Sequence, residues 1–215
     1  MLLDLEGLSA AGVYHLMTQV IVPRPIAWVV SDNGGDGASR WNLAPFSYFN
    51  AVASEPPLVM FSVGRSRREG GPGGGMKDTL ANVTARPEHT IALPNRPQID
   101  AVEVTATEAP PGESEFALAG LDTVGWDWPV PMPSGVRAAL GCSVEEIVPI
   151  ADGPQHVVLA RIHRIWVDDT VVSDDAKGRA RIDATLLDPL LRLGAGDYAA
   201  LGPLARPGRS ATPSS

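Results

Sequence analysis

The residues most able to do chemistry fall in the first third of the chain. Asn42, Ser47 and Ser62 set an amide and two hydroxyls into apolar, strand-like runs, and the backbone N–H groups around Ala44-Pro45-Phe46 add fixed donors. Groups of this kind, lining a shallow apolar cleft, form hydrogen bonds to a planar ring rich in donors and acceptors. A second set, Arg24, Ser31, Lys77 and Thr79, supplies the cations and hydroxyls that an anion requires. Lys77-Asp78-Thr79 stands at the start of an expected helix that runs through about Ala85. Asp78 or Thr79 is expected to cap it, through a side-chain oxygen that accepts from the free N–H groups of the first turn. The dipole of such a helix favours an anion at this end, where Lys77 also lies. The plain structural alternative is a solvated lysine followed by a cap.

Other chemistries find little support. His156 and His163 are an odd number of residues apart, so in a regular strand they face opposite sides and cannot share a metal; no metal site is expected. Cys142 is the single cysteine, which excludes an intrachain disulfide and a multi-cysteine zinc site and fits a reducing cytoplasm. Inside an expected strand its thiol behaves as a small hydrophobe. There is no Gly-x-Ser-x-Gly elbow. The glycine-rich stretch from Gly64 to Gly75 is not a phosphate-binding Walker loop, because Met76 precedes Lys77 where that motif demands glycine. It reads either as a flexible insertion or as a lid over the site.

Strands and turns must position these groups. Ser9 to Gln19 places Val13, Leu16, Met17 and Val20 at helical spacing behind a capping serine, which predicts a short N-terminal helix ending before Pro23. Strands are expected near 25–31, 40–47 and 58–63, the first two forming a hairpin and the third apolar enough to be buried on both faces. Thr90 to Leu93 predicts another strand, and Arg96 to Glu108 a short helix closed by a turn at Ala109 to Gly112. Phe116 to Trp128, followed by Pro129, Pro131 and Pro133, reads as a loop. Gly141 to Ile150 and His156 to Val167 make two further strands, the second alternating in character along its length. One domain over 1–202 is expected, with a disordered Pro/Gly/Ser-rich tail over 203–215.

Four blocks occur in a telling order: Pro23 to Ser31, Asn42 to Asn50, Glu55 to Gly64 and Lys77 to Val83. Together with weaker echoes at Gln155 to Val158 and from Leu187 to Tyr198, they resemble the flavin-reductase-like family, in particular its flavoredoxin-type branch. The resemblance covers about Tyr14 to Tyr198. It implies a mainly β fold, an FMN-binding split β-barrel of Greek-key type with a few short helices, and a homodimer with its flavin sites at the subunit interface. It assigns the FMN phosphate to Lys77, Asp78 and Thr79 and to polar residues near the Pro-Arg-Pro strand, here Arg24 and Ser31. The isoalloxazine edge falls to Asn42, Ala44, Phe46 and Ser47, with Trp41 either stacked nearby or part of the barrel core, and with Ser62 and Gly64 completing the pocket. Some members place a histidine after Gly-Asp near the nicotinamide. His156 is the matching residue, although Pro154-Gln155 replaces Gly-Asp, and a hydrogen-bonded structural histidine is the alternative.

The implied activity is that of an NAD(P)H-dependent flavin reductase or oxidoreductase, with hydride transfer from NADH or NADPH to flavin N5. The alternative is a flavoredoxin-like electron carrier reduced by a partner protein; an oxygenase or another redox protein is the expected partner. A net charge of −8 argues against binding a phosphate backbone, since such surfaces need clustered Lys and Arg. No apolar run reaches the roughly 18 residues that suggest a membrane span, and the N-terminus is acidic, so a cytoplasmic protein is expected.

Overall fold

A computed structural model describes residues 1–66, 75–107, 109 and 113–205. The expected turn at 110–112, most of the Gly64 to Gly75 stretch, and the tail from 206 onward lie outside the described residues.

The first helix, α1 (Ala10–Val20), starts where Ser9 Oγ accepts from the Gly12 N–H. A two-residue strand β1 (Arg24–Pro25) leads into the hairpin of β2 (Ala27–Asp32) and β3 (Trp41–Phe46), which carries the first two sequence blocks. β4 (Phe49–Ser54) and β5 (Pro57–Val63) form a second hairpin. β4 was not anticipated, because its residues sit between turn-like signals. β5 also departs from expectation: Val59, Phe61 and Val63 are buried while Leu58, Met60 and Ser62 are only half-buried, so the strand has one core face and not two. Next come α2 (Asp78–Ala85), β6 (Glu88–Leu93) and α3 (Ile99–Thr105), the last entered through a single 3-10 turn at Arg96–Gln98.

The stretch expected to be a loop contains α4 (Glu115–Leu118) and a two-stranded ribbon of β7 (Thr123–Trp126) and β8 (Trp128–Pro133). Prolines are tolerated in β8 because it pairs on one edge only, leaving the other free of ladder bonds. β9 (Ala138–Pro149) and β10 (His156–Val167) are the long central strands. β11 (Val172–Asp174), β12 (Ala180–Ile182), α5 (Ala184–Leu187), β13 (Leu191–Arg192) and β14 (Tyr198–Ala199) complete the chain.

Seven strands make one antiparallel sheet in the order β3-β2-β6-β9-β10-β5-β4. The sheet curls until β3 contacts β5, so the fold is a split β-barrel. Its interior holds Phe46, Phe61, Val63, Ile91, Cys142 and Val158, and a second cluster around Trp28, Leu43, Val102 and Met132 packs outside it. Burial pushes the Cys142 thiol up to about 12, as expected of a core thiol. Among the described residues, no helix is long and apolar enough to cross a membrane.

Candidate functional site

An open cleft of about 150 Å³ forms where four elements end. The end of β3 gives Pro45, Phe46, Ser47 and Tyr48; the end of β5 gives Ser62 and Gly64; Lys77 precedes α2, Gln155 precedes β10, and Tyr14 comes from α1. Of the residues singled out from the sequence, Phe46, Ser47, Ser62, Gly64 and Lys77 are thus brought together. Lys77 Nζ stands 5.7 Å from the centroid of the Phe46 ring.

Tyr14, Tyr48 and Gln155 were not singled out as site residues. Gln155 Nε2 donates to Ser62 Oγ at 2.8 Å. It can do so because residue 64 is glycine: a Cβ there would stand 2.8 Å from Gln155 Oε1. The Tyr14 and Tyr48 ring centroids are 6.3 Å apart. Burial, and next the neighbouring Tyr14, hold the Tyr48 phenol above its usual range. The position of Gln155 beside His156, at a strand start, was the one signal that marked it.

Lys77, and not Asp78 or Thr79, is the N-cap of α2, with no side-chain cap. Its carbonyl accepts from the Leu80 and Ala81 N–H groups at 3.0 and 3.1 Å. Asp78 is exposed in the first turn. Thr79 lies inside the first turn, past the cap position, and its hydroxyl accepts from Asn42 Nδ2 at 3.0 Å in a buried network. There Asn42 also approaches Ser31 Oγ at 3.4 Å, and Asn82 donates to Ser31 Oγ at 3.1 Å and to Asn33 Oδ1 at 2.7 Å. Ser31, Asn42 and Thr79 are each at least 97 % buried, so their side chains lie beneath the cleft and tie α2 to the β2–β3 hairpin. Helix geometry leaves the Asp78 and Thr79 N–H groups without intrahelical acceptors, directed to the side where Lys77 stands.

The structure does not place Arg24 and Trp41 at the cleft surface. Arg24 is buried and donates to Thr18 O, Ile21 O and Leu193 O at 2.8, 2.9 and 2.9 Å, and to Ser47 Oγ at 3.5 Å. It closes the C-terminal end of α1 and braces Ser47 from within. Trp41 packs against the outer cluster, under the Arg40 guanidinium, on the face of β3 opposite Phe46. Ala44 shares the Phe46 face and packs against the barrel core. His156 lines an adjoining cleft of about 170 Å³ with Gly64, Arg65, Met76 and Pro154, and its buried Nδ1 has no hydrogen-bond partner among the described residues.

The sequence profile described as flavin reductase like domain matches residues 17–190, and the chain belongs to that family. It is 33 % identical over 193 residues to an uncharacterized protein of Deinococcus radiodurans, covering 89 % of this chain and 81 % of the relative. It is 32 % identical over 203 residues to the uncharacterized protein YwrF of Bacillus subtilis, covering 92 % and 93 %. Among solved structures, nitrilotriacetate monooxygenase component B from Bacillus cereus superposes with a TM-score of 0.81 at 31 % identity, over 96 % of this chain and 98 % of that one. The flavoredoxin of Desulfovibrio vulgaris superposes with a TM-score of 0.71 at 20 % identity, over 98 % and 99 %, and shares the fold.

Proposed function

We propose that the chain is a flavin-dependent oxidoreductase that binds FMN in the first cleft and accepts electrons from NADH or NADPH. The charge of the cleft carries this reading. Its described lining holds a cation, Lys77, at a helix N-terminus, in a chain of net charge −8. Such an arrangement suits a mononucleotide phosphate. Lys77 and the first-turn N–H groups of Asp78 and Thr79 would hold the phosphate, while Ser47, the Ser62–Gln155 pair and the backbone at Pro45 to Ser47 would face the ring edge beside Phe46. Ser31, Asn42 and Thr79 act through position: their buried network fixes where α2 begins. Bound FMN supplies hydride acceptance at N5, and the chain supplies orientation and polarity. His156, in the adjoining cleft, is the candidate residue beside the nicotinamide.

The cleft is smaller than the roughly 300–1,000 Å³ of sites that enclose a whole ligand. Tyr14, Met17, Val20 and Ile21, at the same end of the molecule as its Tyr14 wall, are exposed. Both observations support a homodimer of single domains over 1–202, in which a second copy closes the flavin site. A reducing cytoplasm is the proposed compartment. The component B relative supports an oxygenase as the recipient of electrons.

Anaerobic addition of NADH or NADPH to the FMN-loaded protein tests the reading. Loss of the yellow colour is expected; bound FMN that neither donor bleaches replaces it with an electron carrier reduced by a partner protein.

A further inference from the structure

Tyr14, Pro45 and Ser47 also line a second cavity, of about 190 Å³, whose apolar walls are Ile26, Val102 and Ala106. It is open to solvent on one side, and its volume exceeds the roughly 150 Å³ that holds a benzene ring in a closed cavity, so a single six-membered ring with a substituent fits in it. Its polar lining is one organised unit. Arg192 NH1 donates to Glu103 Oε1 at 2.7 Å, the Tyr198 hydroxyl donates to the same oxygen at 2.5 Å, and the guanidinium carbon lies 4.3 Å from the centroid of the Tyr198 ring. Glu103 therefore engages one N–H of Arg192. The Tyr198 hydroxyl also interacts with the guanidinium; beyond it and Glu103 no further acceptor of the Arg192 N–H groups is found among the described residues, and the side chain is 25 % exposed.

We propose that this second cavity is a subsite for a small planar carboxylate, an aromatic or conjugated acid, whose carboxylate accepts from Arg192 and whose ring lies among Ile26, Val102 and Ala106. A carboxylate adds the attraction of opposite charges to its hydrogen bonds with a guanidinium, and the two groups match in planar, two-pronged shape. Glu103 commits Oε1 to both Arg192 and Tyr198, which leaves the guanidinium as the hydrogen-bond donor the subsite offers a ligand. The Tyr198 hydrogen bond is the foremost cause holding the Glu103 carboxyl below its usual range, so Glu103 stays ionised and keeps Arg192 oriented. Because three residues wall both cavities, the acid sits against the occupant of the first; its role as an electron acceptor rests on the flavin reading above.

Benzoate titrated into the FMN-loaded protein, followed by calorimetry and by the flavin visible spectrum, tests the subsite. Expected are saturable 1:1 binding with a spectral shift, benzyl alcohol weaker by about tenfold or more, and a loss of about tenfold or more in both Arg192→Met and Ala106→Trp. FMN affinity should stay within about twofold in both variants. Ala106 is exposed at the end of α3, so its substitution fills the cavity without disturbing the core. Benzoate no tighter than benzyl alcohol, an unmoved flavin spectrum, or unchanged affinity in both variants overturns the subsite. Failure to take up FMN defeats the flavin reading instead, and the heat of benzoate binding to that same protein still decides the subsite.

Discussion

His156 is the residue whose role separates reduction from binding. It lines the cleft next to the proposed flavin site and shares Gly64 with it, but does not line that site. His156→Ala is expected to slow reduction of bound FMN by NAD(P)H while leaving FMN affinity almost intact, since it acts on donor placement and not on the cofactor. Stopped-flow loss of flavin absorbance measures the rate; a variant as fast as the parent assigns His156 a structural role. At this scale the residues that gather at the cleft are those beside turns. Ser47, Ser62, Gly64 and Lys77 stand at or near the ends of β3 and β5 and the start of α2, where turn signals in the sequence mark them, and all four line the cleft. Ser31, Asn42 and Thr79 line a buried network, and no local pattern distinguishes that place from a ligand site, because a polar residue in a strand or first helical turn looks the same in either. The place of Arg24 is equally hidden from the sequence: its partners at Thr18, Ile21 and Leu193 are carbonyls, which every residue has and no motif reveals.

At the scale of elements, α2 is held by the polar network beneath it, so weakening the network should cost stability first and flavin affinity second. Thr79→Val removes the acceptor of Asn42 Nδ2. It is expected to destabilise the fold by about 1–3 kcal/mol, the cost of an unsatisfied buried polar group. Urea unfolding measures this, and an unchanged midpoint would show that Asn42 finds full compensation at Ser31. Strands β2, β6, β9 and β10 were legible because runs of β-branched residues between turn signals have few other readings. The β7–β8 ribbon was not, since Pro129, Pro131 and Pro133 signal a loop wherever both edges of a strand must be paired. What secures the ribbon is non-local: Trp128 packs over Gly141, where a Cβ would lie 2.7 Å from its Cδ2, and stacks on His163 at 5.5 Å. No local pattern encodes that contact.

Across the whole molecule, the barrel core carries a titratable group. His89 is fully buried, with Nδ1 donating to Pro87 O at 2.9 Å and Nε2 without a partner among the described residues. Burial lowers its pKa from 6.5 to about 4. The unfolded chain therefore binds a proton that the folded one refuses, and the stability present above pH 6.5 declines as pH falls toward 4. The loss should reach about 2 kcal/mol near pH 5 and be absent from His89→Leu, as read by urea midpoints at pH 5 and 7.5. An equal loss in both proteins would place it elsewhere. Light scattering should report about twice the chain mass, because a monomer would keep Tyr14, Val20 and Ile21 in water beside the cleft. A stable FMN-bound monomer would remove the second copy from the site. The central claim is that Lys77 and the start of α2 hold a flavin phosphate, and comparing FMN with riboflavin in a fluorescence titration tests it most directly. The account predicts that FMN binds at least about tenfold more tightly than riboflavin, and that Lys77→Ala weakens FMN by about 1.5–3 kcal/mol while leaving riboflavin nearly unchanged. Equal affinity for the two flavins, or an FMN affinity that Lys77→Ala does not alter, would contradict it.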